Sequence, residues 1–206
     1  MPEVRFRYEK TGKASYLSHL DMLRTVQRAF LRAGILLKHS EGFNPHPKIS
    51  IAMPLQLGCE SCCEALDASV LTAPDNMTEA LNRALPEGIR ILSAAAPQMP
   101  VGKIAWADWE LRFETSDEAD RAEALLQNAA LPVEKKTKRG ISVLDIAPHR
   151  TLLGREGAVL MLRLRAGSPN VNTGDVAKAL ASFEAAPVVR KARRTQFYNE
   201  DLEIFR

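Results

Sequence analysis

The chain is poor in the residues that most often announce chemistry. It has three cysteines and four histidines among 206 residues. The cysteines fall together as Cys59, Cys62 and Cys63. A C-x-x-C pair can be half of a zinc site or a redox pair, but no second cysteine pair occurs to complete it. His19, His39, His46 and His149 are not spaced as a histidine ligand pair either. Neither a metal nor another cofactor is expected, and the thiols read as structural or incidental. An odd cysteine count without a secretion signal argues against a disulfide framework. No P-loop, G-x-G-x-x-G or G-x-S-x-G motif is present, so no catalytic residue is assigned. Long apolar runs are absent as well. Nothing approaches the ~18 residues that a membrane span needs, and the N-terminus, MPEVRFRYEK, lacks the apolar centre of a signal peptide. A cytoplasmic location and no membrane partner are the expectation.

What remains is an ordinary globular balance, 46% hydrophobic and 26% charged. The length suits one large domain or two of about 100 residues. Net charge is +3, unevenly spread: +5 over residues 1–50, −8 over 51–133 and +6 over 134–206. Two basic ends that met in space would form the footprint expected of a polyanion binder.

Hydrophobic periodicity predicts the elements. Val4–Tyr8 alternates as a strand, with Ala14–Leu17 as a possible extension. Ser18 and Asp21 open a helix that Gly34 ends, with Leu20, Leu23, Val26, Phe30 and Ala33 inward. Strands follow at 48–53 and 64–72, a helix from Asp75 or Asn76 to about Leu85, and a strand at 89–95. Gln98–Lys103 has the proline and glycine of a linker. The second half reads as a strand at 106–115, an acidic helix capped by Ser116 and a hairpin of 133–137 with 141–146 around the basic turn Lys135–Arg139. A strand at 158–166, a helix capped by Asn172 or Thr173 and a strand at 188–197 complete it. The order strand, helix, strand, strand, helix, strand predicts an α+β protein of two tandem ferredoxin-like (βαββαβ) domains, 1–97 and 104–206.

Three stretches carry candidate binding residues. Arg24, Arg28 and Arg32 repeat every four residues on one helix face. They read either as a solvated face or as a row of cationic forks for phosphates. The segment Ser40–Gly58, SEGFNPHPKISIAMPLQLG, has at Gly42 a glycine suited to a left-handed turn and is stiffened by Pro45 and Pro47. It presents Phe43, Asn44, His46 and Lys48, as a packed turn or as one wall of a binding site. In the last strand, Arg190, Lys191, Arg193 and Arg194 precede Phe197 and Tyr198. Cations on both faces mark either a charge-protected edge or a nucleic-acid surface.

The run YLSHLDMLRTVQRAFLRAGI (16–35) followed by GFNPHPK and PLQLG (42–58) resembles the DUF2344 family of radical-SAM-associated proteins. The resemblance is firm over the first half and loose over the second. It implies a radical SAM protein as partner, to which any cluster and radical chemistry would belong; no established activity comes with it, and it lends no support to a metal site at the cysteines. The expectation is a non-catalytic accessory protein that binds structured RNA (ribosomal or transfer), or an enzyme–RNA complex, through a basic face. Two alternatives stand: an RNA-processing or RNA-modifying enzyme by fold analogy, and a protein–protein adaptor for a radical SAM enzyme.

Overall fold

In the computed structural model, residues 3–137 and 140–206 are described. Strand β1 (Glu3–Lys10) follows from the VRFRY alternation and buries Phe6 and Tyr8. Gly12, at φ +57°, then turns the chain into a 3-10 segment, Gly12–Tyr16, where an extension of the strand is expected. Ser15 Oγ donates to the Gly12 carbonyl (2.7 Å), and buried Ala14 lies against Gly88. Helix α1 (His19–Arg32) is capped by Ser18, whose hydroxyl accepts from the Asp21 N–H. Its buried face is Met22, Val26, Ala29 and Phe30. Leu20, expected inward, is exposed: six residues before Val26, it lies about 120° round a 3.6-residue turn.

Strands β2 (Leu36–Leu37), β3 (Ile49–Ile51) and β4 (Glu60–Thr72), helix α2 (Met77–Ala84, capped by Asn76) and strand β5 (Ile89–Ala95) follow. The sheet runs β5-β1-β4, with β2 and β3 both pairing β4, and every pair is antiparallel. β4 starts four residues before the expected Glu64 and takes in Cys62 and Cys63. Helices and sheet close on Phe6, Val26, Phe30, Leu66, Leu81 and Ile91. Phe6 meets Phe30 edge to face at 5.2 Å. Each such side chain contributes about 1.5–3 kcal/mol relative to exposure. Gly88 is demanded by close approach: a Cβ there would lie 2.5 Å from the Thr11 carbonyl oxygen. These elements form one compact unit, Met1–Val101 with Arg206; Gly102–Phe205 forms a second.

The second unit contains β6 (Trp106–Arg112), α3 (Ser116–Leu126), β7 (Pro132–Thr137), β8 (Gly140–Asp145), β9 (Arg150–Glu156), β10 (Val159–Arg165), α4 (Thr173–Ala181) and β11 (Lys191–Tyr198). Its sheet runs β11-β6-β10-β9, again antiparallel, and β7–β8 form a separate hairpin. β6 ends three residues short of Thr115, because Thr115, rather than Ser116, caps α3 by accepting from the Glu118 N–H. α4 has a full capping box between Asn172 and Asp175. β9 has no counterpart in the sequence reading. Its register shifts opposite Met161 and Leu162, so RTLLGRE does not alternate cleanly. The last strand begins at Lys191 rather than Val188, although the Arg190 N–H still bonds the Arg112 carbonyl. Lys138 and Arg139 of the basic turn lie outside the described residues. Lys135, read as part of a solvated tip, is instead tied to the Asp175 carboxylate (2.6 Å) and the Asn170 carbonyl (2.7 Å). The protein is α+β, and among the described residues no helix is long and apolar enough to cross a membrane.

Candidate nucleic-acid interface

β2 and β3 lie one after the other along β4: Leu37 is opposite Val70, and Ile49 is opposite Ala68. Between them the chain leaves the sheet and returns. Its neck is closed on Ser69 of β4, which accepts from Lys38 N and donates to Lys48 O, while Lys48 N donates to Lys38 O. The excursion is therefore an Ω-type loop. Its ends are pinned by sheet bonds and its tip by Ser40. The Ser40 N–H bonds the His46 carbonyl (2.8 Å), and Ser40 Oγ accepts from the His46 N–H (3.1 Å). His46 Nδ1 lies 2.9 Å from Ser40 Oγ and 3.3 Å from the Asn44 carbonyl, so either tautomer finds a partner. Gly42 has φ +128°, a value that suits glycine. Phe43 is fully exposed, and Asn44, His46 and Lys48 are also exposed. An exposed ring on a pinned backbone is positioned without being packed.

Arg24, Arg28 and Arg32 are all exposed on α1. Arg24 lies 3.5 Å from Asp21, three residues before it, in a weak surface pair. Arg32 donates to the Ala84 carbonyl at 2.6 Å, near the end of α2. Arg28 lines a groove of about 250 Å³ with Leu31, Leu36, His39 and Pro47. His39 and Pro47 bridge the loop neck. The arginine row and the loop thus border one groove through Arg28.

The basic residues near the C-terminus separate. Arg190 pairs with Glu114 (3.1 Å), and Lys191 and Arg193 are exposed. Arg194 is 4% exposed, with its guanidinium 4.8 Å from the Trp109 ring and 4.6 Å from the Phe197 ring. Alternation explains the split. Ala192 and Arg194 are opposite Leu111 and Trp109 on the buried face, while Lys191 and Arg193 are opposite Arg112 and Glu110 on the outward one. Arg194 is therefore a packing arginine, unlike the surface ligand it resembles in sequence.

Beside Tyr198, the outward face also holds Trp106, Asp108, Arg163 and Arg165, which are not among the candidate binding residues named from sequence. Arg163 grips Asp108 through two bonds (2.6 and 3.0 Å), and the Tyr198 hydroxyl donates to the same carboxylate (2.9 Å). The Arg163 guanidinium lies 4.2 Å from the Tyr198 ring centroid, and that of Arg165 lies 4.9 Å from Trp106. Burial, followed by the bond to Asp108, pushes the Tyr198 phenol above its ordinary range. The hydrogen bond to Asp108 likewise raises Arg163. The signal was available: WADWELR places Trp106, Asp108 and Glu110 on the face opposite Trp109 and Leu111, and LMLRLR does the same for Arg163 and Arg165.

In the first unit, Arg5 is buried and saturated. It makes two 2.7 Å bonds to Asp67 and donates to the carbonyls of Met99 (2.7 Å) and Arg206 (2.9 Å). Burial holds the Lys10 ammonium below its ordinary range, opposed by the charge of buried Glu64. Cys62 and Cys63 are consecutive in β4 and so point to opposite faces. No cluster of three metal-ligating side chains occurs among the described residues.

Fold and site define a two-unit α+β protein with exposed arginines on a helix, a pinned loop beside them and an aromatic–arginine sheet face. The chain belongs to the DUF2344 family, described as an uncharacterized protein conserved in bacteria, whose model matches residues 3–173. No curated protein matches it. Among solved structures it is similar to a chain in a Cbf5–Nop10–Gar1 complex, at 10% identity and a TM-score of 0.50, over 96% of this chain and 50% of that one. It is also similar to a chain in an archaeal box H/ACA sRNP Nop10–Cbf5 complex, at 10% identity and 0.47, over 96% and 49%. This chain spans about half the length of those chains, and at such identity the likeness concerns fold alone.

Proposed function

We propose that this protein is a non-catalytic accessory module of the cytoplasm. It binds structured RNA (ribosomal or transfer), or an enzyme–RNA complex, and presents it to a radical SAM modifying enzyme. The observation that carries this reading is the shared groove: Arg28, at the centre of an exposed arginine row, borders the neck of the loop that holds out Phe43, Asn44, His46 and Lys48. Guanidinium forks for phosphates beside an exposed aromatic ring suit a folded polyanion with accessible bases. Lys191 and Arg193 supply further cations, with Arg190 already paired to Glu114. The radical SAM partner rests on the family pattern SHLD…GFNPHPK alone.

The same reading takes each unit as ferredoxin-like, with domains at 1–97 and 104–206. Counting β2 and β3 as one interrupted strand, and β7–β8 as an insertion, each unit runs strand, helix, strand, strand, helix, strand with its last strand beside its first.

Filter binding of transfer RNA at low ionic strength tests the function. The wild-type protein retains the RNA. A variant carrying Arg24→Ala, Arg28→Ala and Arg32→Ala, with unchanged circular dichroism, loses most of the affinity. Absence of wild-type binding at low salt overturns the reading. A protein adaptor is the second reading, favoured by Leu31 and Leu36, which line the same groove at 79% and 54% exposure. Nuclease-resistant capture of a radical SAM enzyme selects it.

A further inference from the structure

We infer that the outward face of the second unit's sheet is a stacking platform for the bases of single-stranded RNA, with Trp106–Arg165 and Tyr198–Arg163 as its two seats. This deepens the RNA reading above and rests on it. Four observations carry it.

The first is composition by face. Along β6 and β10 one set of alternate residues is buried: Ala107, Trp109, Leu111, Leu160, Leu162 and Leu164. The other set, including Trp106, Asp108, Arg163 and Arg165, is only partly buried. α3 packs on β10, and its inner residues Ala119, Ala122 and Leu126 are fully buried, as the first set requires. Helix cover thus goes with the apolar face, and the aromatics of the other face are not core.

The second is a β-bulge. From Lys191 to Arg194 the register with β6 descends one for one, Arg194 opposite Trp109; Gln196 is then opposite Asp108 and Tyr198 opposite Trp106. The extra residue, Thr195, reverses the alternation. Without it Tyr198 would follow Ala192 and Arg194 onto the buried face. With it, Tyr198 stands beside Trp106. A bulge that re-aims one side chain is a recurrent device at functional surfaces.

The third is the preparation of the rings. Each has a guanidinium against it, at 4.2 and 4.9 Å from its centroid. Asp108 fixes Arg163 and the Tyr198 hydroxyl together. Glu200 holds Arg165 at 2.7 Å. Both arginines remain partly open, with 17% and 19% of their side chains exposed. Because each guanidinium lies over its ring, the plane it presents to an unstacked base is that of the ring-backed cation, which supplies both π contact and a positive field.

The fourth is the surrounding charge. Arg112, Lys191 and Arg193 are exposed on the same face; of its carboxylates, Asp108 is compensated by Arg163 and Glu200 by Arg165, and Glu110 lies opposite Arg193. A strand whose bases occupy the rings can rest its phosphates on these cations. A duplex hides its base faces and would meet the cations alone, which selects single-stranded RNA.

The protein reports on this itself, because its 206 residues include two tryptophans and Trp109 is buried. Titration at low salt with an unstructured oligouridylate of about ten nucleotides is expected to quench Trp106 fluorescence saturably. A duplex of equal length is expected to bind without quenching. Trp106→Ala weakens oligonucleotide binding about ten-fold or more, whereas Tyr198→Phe, which keeps the ring, stays within a few-fold of wild type. Trp106→Phe removes the signal while keeping a ring. No quenching of the wild type, or quenching that survives in Trp106→Phe, overturns the inference whatever the folding of the alanine variant. Transfer RNA bound through the α1 arginines without oligouridylate quenching sinks this inference and leaves the function above standing; if no RNA binds, both fall. Capture of a protein on this face without quenching overturns it too.

Discussion

Two carboxylates show how the same side chain serves opposite ends. Asp67 is 7% exposed and wholly spent on Arg5, which also ties down two backbone carbonyls. Asp67→Ala would leave a buried guanidinium without its counter-charge, and a loss of about 3–5 kcal/mol is expected from urea denaturation. A loss under 1 kcal/mol would mean that water already reaches the pair. Asp108 instead sits on the outward face and organises a ring. Burial, and then the bond to Asp108, keep the Tyr198 phenol protonated above its ordinary range. The linkage follows from this. A group whose folded pKa is raised binds protons more tightly in the native state, so its stabilisation is full below the unfolded value of about 10. It is lost as pH rises through the folded value. Tyr198→Phe is therefore expected to be less stable than wild type near pH 8, with the gap closing above about pH 10 in parallel urea titrations. A gap that stays constant with pH would assign the phenol no such role.

At the scale of elements, legibility followed alternation. β1, α1, α2 and β10 each have a clean period, and their existence could be read directly. The Ω loop was legible as a stiff projection because Gly42, Pro45 and Pro47 constrain its backbone locally. That it interrupts one strand was not, because β2 is only two residues long and its pairing with Val70 and Thr72 is non-local. β9 was missed because a register shift at Gly154 breaks its alternation, and the Tyr198 side of β11 because a bulge reverses it. Of the candidate residues, Arg24, Arg28 and Arg32 are exposed as a helical row requires, yet Arg194 is buried although its neighbour Arg193 is not. Period tells which residues share a face but not which face the helices cover. The loop permits a direct test. Ser40 closes its tip through backbone and hydroxyl, and Ser40→Ala removes only the hydroxyl. Faster amide exchange at His46, weaker transfer RNA binding and global stability within about 0.5 kcal/mol are expected. If binding is unchanged while exchange quickens, the loop's rigidity has no part in recognition.

At the scale of the whole molecule, net charge is a poor guide and distribution a better one. A net of +3 over 206 residues hides basic ends and an acidic centre, and much of the cation count is spent internally. Arg5, Arg155, Arg163 and Arg165 each face a carboxylate, and Arg194 is stacked inside the second unit. Those five arginines are engaged elsewhere, so the salt dependence of RNA binding is expected to follow the exposed cations and not the total of 28. Each phosphate contact releases counterions and adds about 0.7–0.9 to the slope of log affinity against log salt. The three arginines of α1, if each meets one phosphate, account for a slope change of about 2–3. Affinity for transfer RNA measured over a range of salt should fall log-linearly, and the triple alanine variant should fall with a slope shallower by that amount. A variant that loses affinity with an unaltered slope would show that these arginines act through packing or through the loop, and the phosphate contacts would then have to be sought elsewhere on the chain.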